Sequence, residues 1–172
     1  VPFSAGGAAD IIARLLGNGL TKGLGTQVVI DTRPGAGTVL GTEIAARANP
    51  DGYTLLLAAT AHATNPGLLG KLPFDPIKDF APITLAVDTP WIFVVPASLP
   101  VANLRELIDL AKSKPQRVIY GSSGQGTSGH LAVELLGLKT DIRMVHVPYK
   151  GASPALIDLL GAQIQMLCTS TL

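Results

Sequence analysis

The chain has 172 residues, 13 Lys+Arg against 12 Asp+Glu, a formal net charge of +1, 47% hydrophobic and 15% charged residues, and one Cys. The apolar fraction excludes a disordered chain, and the balanced charge excludes a basic footprint for nucleic acid or a polybasic membrane patch. One cysteine excludes a disulfide framework or a Cys-based zinc cluster, and no apolar run approaches the ~18–20 residues that span a bilayer.

The elements follow in chain order. Ile11, Ile12, Leu15, Leu16 and Leu20 share one helical face, which predicts a helix from just after Gly7 to Gly23 or Gly25. A strand is expected over 27–31, a turn at Arg33-Pro34-Gly35-Ala36-Gly37, and a helix over 38–48 with Val39, Leu40, Ile44 and Ala45 inward. Asn49-Pro50-Asp51-Gly52 breaks that helix. The continuous apolar run 53–59 reads as a strand buried on both faces, followed by a short helix over 65–70. Strands are expected over 80–87 and 91–96, and 97–100 has linker character. Asn103 caps a helix over 103–112 with Leu104, Leu107, Ile108 and Ala111 on one side. A strand over 117–120, a Gly/Ser loop over 121–129, a helix over 128–138, a strand over 143–147, a helix over 154–160 and a strand over 164–168 complete the pattern. Strands alternating with helices predict βαβ units and covered parallel sheets. The linker near residue 98 divides them into two α/β halves, 1–97 and 98–172. Both ends read as cut: Val1-Pro2-Phe3 looks like the close of a strand, and the C-terminus stops inside an apolar segment.

The 19 Gly and 13 Pro follow no Gly-X-Y period. Small and polar residues collect at four strand-to-helix junctions: residues 4–7, 60–64, 121–129 and 150–153. Ligands of open α/β sheets bind beyond the carboxyl ends of the strands, where helix N-termini present free N–H groups and a positive dipole end. Such junctions suit an anion held mainly by backbone amides. The loop from Gly121 to His130 is the strongest candidate; its plainer reading is a tight turn whose hydroxyls cap the next helix. It has no third glycine at dinucleotide spacing and no Gly-Lys-Ser/Thr ending, which disfavours nucleotides. Nor does it match a Gly-x-Ser-x-Gly nucleophile elbow. Asp10 has two readings, an acid complementing the helix dipole or a carboxylate beside the ligand. His62, His130 and His146 are spaced too widely for a metal site. His146 reads as a sheet histidine, His130 as a residue that caps or orients the loop, and His62 as a ligand neighbour. Cys168 lies in an apolar strand and is expected to pack there.

Longer motifs then become legible. Val1-Pro2-Phe3-Ser4-Ala5-Gly6-Gly7-Ala8-Ala9-Asp10 with Ala13-Arg14, Asp31-Thr32-Arg33-Pro34-Gly35-Ala36-Gly37 and Pro50-Asp51-Gly52-Tyr53-Thr54-Leu55-Leu56 occur in order. Leu72-Pro73-Phe74-Asp75-Pro76, Asp79-Phe80-Ala81-Pro82, the 121–130 loop and His146-Val147-Pro148-Tyr149-Lys150-Gly151 follow. Together they resemble the receptors of tripartite tricarboxylate transporters, the Bug-type solute-binding proteins, over nearly the whole chain.

The resemblance implies a type II periplasmic-binding-protein fold: two α/β lobes with a hinge, here truncated at the C-terminus so that the first lobe lacks its return segment and exposes apolar surface and strand edges. It implies a periplasmic location, capture of a small organic carboxylate, no cofactor, no metal and no catalysis. The expected partners are the ligand and the membrane subunits of the transporter, with no nucleic acid and no membrane insertion, and a monomer when full length. One carboxylate would be held by Phe3, Ser4, Ala5, Gly6 and Gly7, with Asp10 behind them. Ser122, Ser123, Gln125, Thr127 and Ser128 would hold the ligand from the second lobe. Thr60 and His62 match a third loop, and Lys150 to Ser153, with Gly151, a fourth. Many relatives have Asp where this chain has Thr169. A ligand-sensing domain of a regulator with the same fold, or a small α/β enzyme acting on carboxylates, are the alternatives.

Overall fold

The computed structural model describes residues 1–113 and 118–171. Helices α1 (Ala8–Leu24), α2 (Val39–Ala46, entered through a 3-10 turn, Ala36–Thr38) and α3 (Thr60–Leu69) come first. Strand β1 (Trp91–Val94), α4 (Leu104–Ser113), β2 (Ile119–Ser122), α5 (Ser128–Thr140), β3 (Val145–Pro148), α6 (Ala152–Leu160) and β4 (Met166–Ser170) follow.

The α/β pattern closes into one four-stranded sheet of order β1-β4-β2-β3. β2 runs parallel to both β3 and β4. Each parallel return passes through a helix, β2-α5-β3 and β3-α6-β4, because a parallel neighbour cannot be reached by a tight turn. Side chains alternate along β4, and each face is covered. Met166 and Cys168 pack with Tyr120, Leu107 and Ala111 of α4 and Val133 of α5, while Leu167 packs with Ile164 and with Ala155 and Leu159 of α6. Fully burying an aliphatic side chain is worth about 1.5–3 kcal/mol, so these two layers hold the sheet. Two glycines let the layers close. A Cβ at Gly121 would sit 2.6 Å from Ile164 Cδ1, and one at Gly129 would collide with the Cys168 carbonyl.

Several expectations need correction. The sheet is mixed, because β1 pairs antiparallel with β4. That edge strand lies before residue 98, in the segment expected to form the first lobe. The expected strands over 27–31, 53–59 and 80–87 are extended chain without a ladder. A strand needs a bonded backbone neighbour, and among the described residues only Val1 offers its backbone to the 27–33 stretch: its N–H donates to the Asp31 carbonyl at 2.8 Å, and Arg33 N–H donates to the Val1 carbonyl at 2.8 Å, while Val28 N–H goes to the Thr21 hydroxyl at 3.0 Å. Tyr53 (88% exposed) and Leu85 (82%) stand in solvent instead of being buried.

The inward faces of the early helices also differ. Leu40 and Ile44 are 46% and 45% exposed, and the packed face of α2 is Gly41 and Thr42. A Cβ at Gly41 would lie 2.6 Å from the Arg33 carbonyl, so the chain approaches too closely for larger residues. On α1, Asp10, Ala13 and Gly17 are buried while Ile11, Leu15, Leu16 and Leu20 are exposed. Leu104 of α4 is exposed as well, leaving Leu107 and Ala111 as its buried residues. α3 begins five residues before the expected 65, which places His62 in its first turn and not at a strand end. The expected strand start at Arg117 lies outside the described residues; the strand itself is displaced to Ile119–Ser122.

The approach of α5 to β4 at Gly129 yields a test. Gly129→Ala should destabilise the chain by about 1–3 kcal/mol through overpacking, lowering the urea midpoint with the slope unchanged. An unchanged midpoint would show that α5 can move off β4 at no cost.

Candidate ligand-binding cleft

Helix α4 is capped as its sequence predicts. Glu106 N–H donates to Asn103 Oδ1 at 3.0 Å, and Glu106 Oε2 accepts from Ala102 N–H at 2.7 Å. None of the other five helices has a side-chain cap: α2 runs on from its 3-10 turn, while α1 begins after Gly7, α3 after Ala59, α5 after Thr127 and α6 after Gly151. Their first N–H groups have no intrahelical acceptor.

These uncapped starts meet in pairs. α1 faces α6: Ser4 N–H donates to the Lys150 carbonyl at 2.9 Å, and Ser153 Oγ donates to the Ala5 carbonyl at 3.1 Å. Gly151 makes the approach possible. Its φ of +150° favours glycine, and a Cβ there would collide with Ser4 Oγ. α3 faces α5: Ser128 Oγ donates to Thr60 Oγ1 at 2.6 Å, and Thr64 Oγ1 donates to the Gly126 carbonyl at 2.7 Å. The 35–38 turn joins this second pair. Asn65 Nδ2 donates to the Gly37 carbonyl at 2.9 Å, and a Cβ on Gly37 would lie 2.5 Å from the Gln125 carbonyl. A cavity of about 350 Å³ opens here, with Gly37, Gln125 and Lys150 in its wall. A slightly larger one, about 390 Å³, lies between α1 and residues 27–30 and contains none of the candidate residues.

The candidate side chains divide by what already holds them. Asp10 is buried, and its Oδ2 accepts from Gly6 N–H at 2.9 Å and from Arg14 Nε at 3.0 Å. The Arg14 hydrogen bond first, then that of Gly6, hold its carboxyl below the usual carboxylate range. Its Oδ1 and Ser4 Oγ are buried without a partner. Phe3 is half-buried, Gly7 buried, and Ala5 and Gly6 exposed at the mouth. His62 is committed elsewhere: Nε2 lies 2.8 Å from the Pro76 carbonyl and the ring packs against Phe74 and Phe80. Ser122 and Thr127 are buried and shape the loop, both donating to the Gly124 carbonyl, at 3.1 and 2.7 Å. Ser123 is half-buried, and Gln125 is exposed. Thr169 is buried on β4.

His130 orients the loop, as its position predicts, by accepting from Gly126 N–H at 3.2 Å. His146 lies 2.7 Å from Ser122 Oγ through Nε2. Tyr149, beside Lys150, donates to Asp158 Oδ2 at 2.6 Å; burial first, then that carboxylate, push its hydroxyl up to about 12. Cys168 is a buried free thiol, pushed up to about 11 by burial. Among the described residues no three His, Cys, Asp or Glu are grouped to hold a metal, and no helix is long and apolar enough to cross a membrane. Thr64, Asn65 and Gly37 join the cleft although none was expected to bear on a ligand: Thr64 stood in a junction and Gly37 in a motif, but Asn65 in neither. Their partners are 62, 28 and 88 residues away in sequence, and only the folded chain brings them together.

Burial first, and then repulsion from His130, lower His146 to about 4, against a weaker upward pull from Glu134. An ordinary histidine titrates near 6.5. Between those pH values the unfolded chain binds a proton that the folded chain refuses. Stability should therefore fall as pH drops from about 6.5 to about 4, and this contribution should be flat below that. His146→Phe should make the decline shallower in urea unfolding at pH 7, 6, 5 and 4; an unaltered slope would remove His146 as its source.

Comparison with known proteins places the chain. Residues 12–172 match the family model described as tripartite tricarboxylate transporter family receptor. Protein BugT of Bordetella pertussis is 37% identical over 166 residues, 95% of this chain and 51% of BugT. An R. palustris protein solved with adipate is 34% identical with a TM-score of 0.95, over 99% of this chain and 57% of that one. MatC from Rhodopseudomonas palustris, solved with bound malate, is 30% identical with a TM-score of 0.89, over 99% and 58%. The chain spans about half the length of the curated relatives it matches. By these matches and by its α/β architecture, it belongs to the tripartite tricarboxylate transporter receptor family, among the Bug-type solute-binding proteins.

Proposed function

We propose that the chain captures a small carboxylate in the cleft between the residues before β1 and the unit built on the β1-β4-β2-β3 sheet, as the binding part of a periplasmic receptor that hands its ligand to the membrane subunits of a transporter. The observation that carries this reading is the meeting of uncapped helix N-termini, α1 against α6 and α3 against α5. Each N-terminus carries about half a positive charge, so two facing starts repel one another until an anion lies between them. The backbone amides of residues 3–7, 122–128 and 151–153 would supply the donors, apart from those of Ser4, Gly6, Gly124, Gly126 and Thr127, which are bonded within the chain. Ser123 would add a hydroxyl that the loop's internal bonds leave free among the described residues. Because β1 stays paired with β4, the two walls would open about the chain just before β1 and not about the expected 96–99, breaking the Ser4–Lys150 and Thr64–Gly126 hydrogen bonds.

The relatives solved with adipate and malate make dicarboxylates the first ligands to try. Buried Asp10, with one unpartnered oxygen behind the 4–7 loop, favours a ligand that also carries a donor such as a hydroxyl.

A second reading, an enzyme acting on carboxylates, draws on the Ser122–His146 pair at 2.7 Å. Ser122 is fully buried, and its Oγ is engaged by the Gly124 N–H and carbonyl. No substrate carbonyl can reach it in that position, so binding without turnover is the better reading.

A thermal-shift screen with succinate, malate, adipate, citrate and benzoate, each beside its neutral amide, tests the proposal. Bound at a hundred times its Kd, a ligand stabilises the fold by about 2.7 kcal/mol, and the acids alone should raise Tm. Equal shifts from the amides, or none from any acid, would overturn it. Ser123→Ala should then weaken the best acid by about 1 kcal/mol, roughly five-fold, in calorimetry.

A further inference from the structure

Beneath the 121–129 loop lies a cluster of rings that carboxylate binding does not itself use. Tyr120 on β2 and His146 on β3 are register partners, and their rings stack with centroids 4.8 Å apart. His130, in the first turn of α5, stacks on His146 at 4.2 Å and 21°. Each imidazole is tied to the loop. His146 Nε2 meets Ser122 Oγ, which accepts from Gly124 N–H at 3.2 Å. His130 Nδ1 takes the Gly126 N–H.

That last bond fixes a protonation state. A backbone N–H can only donate, so His130 Nδ1 must keep its lone pair. On its other side Gly126 accepts the Thr64 hydroxyl from α3 through its carbonyl. One residue of the loop is thus clamped between His130 and the opposite wall of the cleft. Asn65 Oδ1 is buried without a partner, 2.7 Å from where a Cβ on Gly126 would sit, so this residue has little room to turn in place.

We infer that His130 is a positioning residue that holds the Gly126 amide, and with it the ligand loop, only while its imidazole is neutral, so that acidification frees the loop and weakens carboxylate capture. The consequence for capture rests on the binding role proposed above; the assignment of His130 to Gly126 does not.

A proton arriving on Nδ1 sets two donors face to face, and Gly126 N–H must leave. The groups around His130 favour this as an isolated event. His146 on β3 stays neutral down to about pH 4. Tyr120 on β2 donates to Glu134, and burial raises its hydroxyl further, so it stays neutral. Glu134, on the helix that carries His130, is the one carboxylate of the cluster, and it accepts the Tyr120 hydroxyl. On β4, the Cys168 thiol is neutral and its carbonyl lies against Gly129. From α3 come the hydroxyls of Thr60 and Thr64 and the Asn65 amide, all uncharged.

The test follows the Gly126 amide in ¹⁵N–¹H spectra of the whole chain from pH 8 to 4.5, without ligand. The Gly126 peak should move through one transition that tracks the His130 ring Cε1–H signal. His130→Asn places an acceptor oxygen where Nδ1 stood and does not titrate; it should keep the pH 8 position of Gly126 and abolish the transition. A Gly126 peak that stays still while the His130 ring titrates, or a transition that survives in His130→Asn, overturns the assignment. Affinities for succinate, malate and adipate at pH 7.5 and 5.0 give the second readout. At least one acid should bind five-fold or more weakly at pH 5.0 in the native chain and equally at both pH values in His130→Asn. Equal affinities in the native chain despite a released Gly126 overturn the link to capture. No affinity for any of the three, with the Gly126 transition intact, overturns the binding role and leaves the His130 assignment standing.

Discussion

Everything at the cleft depends on helix N-termini that keep their N–H groups unpaired by side chains. Where a helix start is ordinary, as in α4, Asn103 and Glu106 close it off. At α1, α3, α5 and α6 no side chain does so, although hydroxyls are at hand. Thr127 occupies the cap position of α5 and turns its hydroxyl to the Gly124 carbonyl instead. Facing positive ends are electrostatically unfavourable by themselves, and an anion relieves them. A site built this way reads charge and shape through the backbone and needs no cluster of Lys or Arg, in keeping with the formal net charge of +1.

The sheet supplies the rigidity that such a site requires. β2, β3 and β4 are held from both faces, by α4 and α5 on one side and α6 on the other. Their parallel order directs the β2–α5 and β3–α6 loops to the same edge, where residues 121–129 and 149–151 meet. The residues before β1 contribute the opposite wall through Ser4, Thr60, Thr64, Asn65 and Gly37. They attach by hydrogen bonds and close glycine contacts, with little shared apolar core: their buried apolar side chains are few, chiefly Ala13, Ala61 and Phe74. Two walls joined in that way can part at low cost, as the proposed capture of a ligand would require.

Much of this was legible in sequence. The helices around residues 8–24, 104–113 and 128–140 follow from their punctuation by Gly7 and Gly25, from the Asn103 cap and from the Gly/Ser loop before Ser128. The four small-residue junctions stood out because strand-to-helix turns are where glycines and hydroxyls collect, and all four reach the cleft. The strands over 27–31, 53–59 and 80–87 did not form because apolar composition marks a segment fit for a sheet without providing its neighbour. The inward face of α2 misled for a related reason. The largest apolar residues were expected to be buried, whereas the tight approach to Arg33 and Pro2 admits only Gly41 and Thr42.

The sequence by itself determined the α/β class, the family through its ordered motifs, and the positions of the small-residue junctions. Each of these is written in local spacing, where i to i+4 periodicity and turn chemistry suffice. The tertiary structure alone decided which helix starts face one another, that His62 turns to Pro76 while His130 takes the Gly126 amide, and that Ser122 is sealed beneath the loop. Apart from the local His130–Gly126 bond, those facts depend on how residues far apart in the chain are directed at one another. Such a direction is set only once the sheet has fixed where both partners stand.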